Sequence, residues 1–134
     1  MSSTDRHAIQ RLKYDYCDAI DEGRYEEWVS LFTDDGVFRR ADAGDSYTGT
    51  DALYTFATER FDTAFAFAAH VLTNPRIDVS GEEATGTWYL QLVYRTADGE
   101  EGLRQGRYAD RYRKVDGEWY IAETEVGYGM RISL

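Results

Sequence analysis

The chain has 134 residues, enough for one domain whose core needs no disulfide or metal to hold it. Its 25 acidic residues against 15 Lys and Arg give a formal net charge of −10, which disfavours nucleic acid and anionic membrane as partners. A single cysteine, Cys17, excludes an intrachain disulfide, and no apolar run approaches the ~20 residues of a membrane span, so a soluble, cytoplasmic protein is expected.

In chain order, Ser2-Ser3-Thr4-Asp5 offers capping oxygens to a first helix. Ile9, Leu12, Tyr16 and Ile20 form its apolar face, and Gly23 stops it. Asp21 falls on the shoulder of that face, from where a side chain can reach a neighbouring cavity. Tyr25, Trp28, Val29 and Phe32 recur at helical spacing and predict a second, short helix. Thr33-Asp34-Asp35-Gly36 ends it as a turn, and Val37-Phe38 begins a short strand. The acidic pair has no His, Cys or further carboxylate beside it, so it reads as a solvated turn rather than a metal site. Ala41 to Gly49 is a polar loop. Thr50 is the expected N-cap of a third helix burying Leu53, Phe56, Ala57 and Phe61. Phe65 and Phe67 follow, either as a wall over a cavity or as core.

The remainder reads as strands. His70 to Ser80 is one, opened by a histidine at the edge of an apolar cluster, with Pro75 marking a bulge or a sheet edge. Ala84 to Thr96 alternates, with Gly86, Trp88, Leu90, Leu92 and Tyr94 on one face. Residues 97–102 form a hairpin loop. Leu103 to Val115 places Gly106, Tyr108, Asp110 and Tyr112 together, Asp116-Gly117 is a hairpin signal, and Trp119 to about Ile132 is the last strand. Gly127-Tyr128-Gly129 lacks a third glycine and a following helix and is not a nucleotide loop. Helices followed by long antiparallel strands imply an α+β layer fold, with Gly86 and Gly106 free to let the sheet curve around a pocket.

A resemblance rests on Ala19-Ile20-Asp21, Tyr25, Trp28 and Leu31 to Phe38. It continues through Tyr47-Thr48-Gly49, His70 to Asn74, Gly106 to Tyr112, and Lys114 to Ile121. In this order and spacing the chain resembles SnoaL-like proteins of the nuclear-transport-factor-2-like superfamily over nearly its whole length. The resemblance implies a single domain, 1–134. Its fold would be a cone-shaped α+β barrel, with three N-terminal helices packed in a curved, mostly antiparallel sheet around a central pocket. It also implies a homodimer or homotrimer.

Within that superfamily the chain is most similar to the branch of scytalone dehydratase and hexachlorocyclohexane dehydrochlorinase, which pairs an Asp on the first helix with a His opening a strand. The matching positions are Asp21 and His70. Where the dehydrochlorinase has Lys on helix one and Arg on the last strand, this chain has Tyr16 and Thr124. Where the dehydratase has Ser and Asn on the penultimate strand, it has Gly106 and Tyr108.

A carboxylate holding one ring N–H of an imidazole leaves the other nitrogen free as a base near neutral pH. That chemistry needs no metal and no cofactor and starts an elimination or an isomerisation; with it, the resemblance implies a lyase or isomerase acting on a small, largely apolar, cyclic or polyketide-like molecule. Tyr16, Trp88, Tyr108 and Tyr128 are the expected pocket lining, with core packing as the alternative for each. Asp110 could be a second carboxylate, but pairing with Arg107, Arg111 or Arg113 is preferred. The other function class open to the chain is a non-catalytic binding or structural subunit, similar to the β subunits of ring-hydroxylating dioxygenases.

Overall fold

The computed structural model describes residues 3–134. Helix α1 spans Ser3–Asp21 and buries Ile9, Leu12, Tyr16 and Ile20 on its predicted face. Of the expected capping run, Ser3, Thr4 and Asp5 are already helical and Ser2 lies outside the described residues. Helix α2 (Tyr25–Ser30) is shorter than its spacing suggests. Phe32, which fits that spacing, belongs instead to strand β1 (Phe32–Arg40), where it pairs with Ile121 of the last strand. Thr33 to Gly36 therefore interrupts β1 rather than preceding it. Asp35 accepts from the Thr33 hydroxyl at 2.9 Å and faces Arg113, as a solvated turn would.

The polar loop contains a strand that composition does not show. Strand β2 (Asp45–Thr48) pairs with β1 from Val37↔Thr48 to Arg40↔Asp45, with an Arg40–Asp45 ion pair at its end. Its hydrogen bonds are backbone bonds, and only Tyr47 brings an apolar ring to the core, so no apolar alternation marks it. Helix α3 (Thr50–Thr55) is preceded by Gly49 at φ +90°, which stands at the cap position without a side-chain bond; Thr50 is already helical. It runs into a π-helical turn, Phe56–Phe61, and then a single α-turn, Asp62–Ala64. A π turn bonds residues five apart, and it sets Phe56, Arg60 and Phe61 along the concave side of the sheet.

Strand β3 (Phe65–Ser80) begins five residues before the expected His70, because a uniformly apolar run carries no period from which to read a boundary. It is followed by β4 (Glu83–Thr96), β5 (Glu101–Val115) and β6 (Glu118–Ser133), so Glu101 and Gly102 belong to a strand and not to the loop. The sheet order is β2-β1-β6-β5-β4-β3, antiparallel throughout except for β1 against β6. Its edges, β2 and β3, do not meet, so the barrel is an open α+β cone. Pro75 lies on the edge strand, inside a register break between Thr73 and Arg76 where Asn74 takes φ +55°. Asp116 and Gly117 adopt φ +50° and +84°, the geometry of a tight hairpin turn. No helix among the described residues is long and apolar enough to cross a membrane.

Strand β6 passes close to β5 at Gly106. A β-carbon there would stand 2.4 Å from the Gly127 carbonyl oxygen and 2.7 Å from Tyr128 Cδ1. Gly106→Ala is expected to cost about 1–3 kcal/mol, because a backbone oxygen cannot rotate away. Gly129→Ala, with open space at its position, is expected to stay within about 0.5 kcal/mol of wild type. Urea denaturation of the two variants measures the difference.

Candidate active site

Asp21 is the last residue of α1, and His70 stands on edge strand β3. An edge strand leaves alternate backbone N–H groups without a ladder partner, and Asp21 takes one of them: its Oδ2 accepts the His70 backbone N–H at 2.8 Å. Its Oδ1 lies 2.5 Å from His70 Nδ1. One carboxylate thus holds both the strand and the ring. The side chains are 7% (His70) and 18% (Asp21) exposed, so the contact is largely shielded from water. Phe61 covers the imidazole at 6.0 Å between ring centroids. Among the described residues His70 Nε2 has no protein partner, and His70 lines the cavity between helices and sheet.

That cavity is about 220 Å³. Tyr16, Tyr108 and Tyr128 line it, together with Trp28, Phe38, Phe56, Phe61 and Phe65. Trp88 does not. Its indole is fully buried and donates to the Tyr112 hydroxyl at 3.0 Å, so core packing accounts for it. Phe65 is a wall of the cavity, whereas Phe67 is 52% exposed on the opposite face. A bulge separates them: β3 advances from Phe65 to Phe67 while β4 moves only from Thr96 to Arg95, which brings Phe65 to the face of His70. Burial pushes the Tyr16, Tyr108 and Tyr128 hydroxyls above their ordinary range, so they stay protonated, and the Tyr108 hydroxyl faces that of Tyr16. Burial pushes the Cys17 thiol up as well, which removes it as a nucleophile.

Asp110 pairs with none of the three arginines near it in sequence. Its partner is Lys13, at 3.1 Å, both side chains being wholly buried. Thr124 donates to Asp110 at 2.5 Å and accepts from Lys13 at 2.9 Å, and Tyr112 donates to Asp110 at 2.6 Å. The Lys13 ammonium lies 3.9 Å and 3.7 Å from the ring centroids of Tyr16 and Tyr108. Burial lowers its pKa and the Asp110 charge raises it in part. Neither Lys13 nor Asp110 lines the cavity; they brace two rings that do. Sequence reasoning missed Lys13, although it stands four residues after Ile9 and three before Tyr16, on the buried stripe. Thr124 is likewise committed to this network and not to the cavity.

Four arginines on the cavity wall were also missed: Arg40, Arg60, Arg104 and Arg131. Arg104 had a readable signal, since the period of β5 puts it on the face of Gly106 and Tyr108. Arg131 had none. Between Gly106↔Tyr128 and Gln105↔Met130 strand β6 holds one extra residue, and that bulge turns Arg131 inward and Met130 out. Two buried N–H groups among the described residues lack a partner, Trp28 Nε1 and Arg104 Nε, and both residues line this cavity.

Residues 1–125 match the SnoaL-like domain family. A candidate scytalone dehydratase from Novosphingobium aromaticivorans superposes with a TM-score of 0.88 at 29% identity, over 98% of this chain and 88% of its own. A candidate aromatic ring hydroxylase from the same organism gives 0.90 at 25% identity, over 100% and 96%. The hexachlorocyclohexane dehydrochlorinase LinA gives 0.91 at 24% identity, over 98% and 90%, a likeness of fold.

Proposed function

The chain belongs to the SnoaL-like domain family, and from that premise we propose that it is a cofactor-independent lyase or isomerase acting on a small, largely apolar, cyclic or polyketide-like molecule. The observation that carries the reading is the two-point grip of Asp21 on His70 at the wall of an aromatic cavity. With Nδ1 held by the carboxylate, Nε2 presents a lone pair and removes a proton from carbon. The imidazolium so formed stands against the Asp21 charge. If a leaving group sits on the adjacent carbon, the C–H electrons become the new double bond and that group departs with its bonding pair. If a carbonyl sits there, an enolate forms, and the imidazolium returns the proton at another carbon. The protonated Tyr16 hydroxyl, backed by that of Tyr108, is the donor for the departing or enolate oxygen. On this reading the protein is a homodimer or homotrimer of the cytoplasm and takes no metal.

A second reading, a binding or structural subunit without chemistry of its own, draws on the likeness to the candidate aromatic ring hydroxylase. One experiment separates the two. A panel of cyclic ketones, with 2-tetralone first, and of cyclic β-hydroxy ketones is incubated with the protein in deuterated buffer and followed by NMR. Washout of the α-protons or formation of the enone, faster than in buffer alone, is the expected result. Buffer rates across the panel, with co-purification of a larger iron-containing chain, would establish the second reading.

A further inference from the structure

We propose that the ligand of this cavity is a cyclic carboxylic acid, its carboxylate held by Arg104 and Arg131 and its ring reaching back to His70. The inference rests on the reading above only in taking His70 as the reacting end. In the register of the sheet His70 stands opposite Leu92, Leu92 opposite Arg104, and Arg104 opposite Arg131. Directly paired residues share a face, so these four form one row across the concave side. Two strand spacings, about 10 Å, separate His70 from Arg104 along that row, a span suited to a fused bicyclic body with an acidic substituent.

Like charges directly opposite one another on a sheet are unfavourable, yet no carboxylate among the described residues forms an ion pair with either arginine. Arg40 is paired with Asp45, whereas Arg104 and Arg131 make no ion pair among the described residues. Asp42 is the one acidic residue among the described residues on the cavity wall, and its carboxylate accepts the Tyr128 backbone N–H at 2.7 Å. The Arg104 guanidinium is held by rings instead, 4.7 Å from Tyr94 and 5.6 Å from Tyr128, and Arg131 lies 6.0 Å from the same Tyr128 ring. Stacking fixes a guanidinium plane while leaving its edge donors to a guest. The Arg104 Nε–H is buried without an acceptor. A carboxylate matches that fork in two-point fashion. Four arginines gathered on one cavity of a chain with net charge −10 make the same point through the field: the anion drawn in is small enough to enter where the surface would otherwise repel it.

The test is calorimetric titration of the whole protein with 2-naphthoate and with 2-naphthamide, which has the same shape and no charge. The expected result is binding of the naphthoate about tenfold or more tighter than the amide. Arg104→Gln and Arg131→Gln should each weaken naphthoate by about tenfold and leave the amide unchanged, with Arg104→Lys recovering part of the loss. Thermal unfolding of each variant checks that the fold persists. Equal affinities for acid and amide, no naphthoate binding at millimolar concentration, or indifference to both arginines would overturn the proposal. Naphthoate binding is also measured on His70→Ala, where it should survive. Acid preference with an idle His70 sinks the proton-abstraction reading and keeps this one. Turnover that needs His70 without acid preference does the reverse.

Discussion

His70→Ala is expected to lower α-proton washout, or elimination, by about 10²–10⁴-fold, the usual contribution of a positioned general base. The fold should be unchanged. Alanine keeps the backbone N–H that Asp21 Oδ2 accepts, so the join between α1 and β3 persists, and the ring removed stands beside a cavity rather than within the packed core. Asp21→Asn tests the other half of the pair. An amide can still accept the backbone N–H, but it cannot hold Nδ1–H and balance an imidazolium charge at once, so a loss of the same order is expected. NMR exchange rates and the urea midpoint, measured on the same preparations, separate chemistry from stability. Exchange that runs at the wild-type rate in His70→Ala would remove His70 as the base, whatever the affinity of the cavity.

Lys13→Met should be strongly destabilising. It strips a wholly buried carboxylate, Asp110, of the one cation that pairs with it among the described residues. Breaking such a pair from one side costs about 3–5 kcal/mol, because the remaining charge is left without compensation. The Thr124 and Tyr112 hydroxyls still reach Asp110 and limit the loss without cancelling it. Lys13→Met with Asp110→Asn removes both charges and should recover much of the stability, since a buried ion pair is often no more stable than its neutral replacement. The comparison is made by urea denaturation of the two single variants and the double. A double variant no more stable than the sum of the singles would mean that the charges do not act as a pair. The loss should also reach the cavity, because the Lys13 ammonium rests on the rings of Tyr16 and Tyr108.

Short-range pattern carried much of this architecture. The period-two alternation of β4 and β5, the helical stripe of α1 and the Asp116-Gly117 turn depend on neighbours within a few residues, and there the observed elements match the expected ones to within two residues at the strand starts. The order and spacing of weak motifs pointed to the α+β cone, and the same resemblance singled out Asp21 and His70, which no local period would have joined. Pairing decided the rest. Phe32 left its helical spacing for a strand because Ile121 of β6 was there to bond it, and Asp45–Thr48 became a strand through backbone bonds that composition does not encode. Lys13 and Asp110 meet across 97 positions, in preference to arginines adjacent to Asp110 in the chain. Arg131 faces the cavity only because one extra residue in β6 reverses its side. Local pattern states which face of an element is apolar. Which element that face meets, and in which register, is set by long-range packing, and the charges lining the cavity follow from register alone.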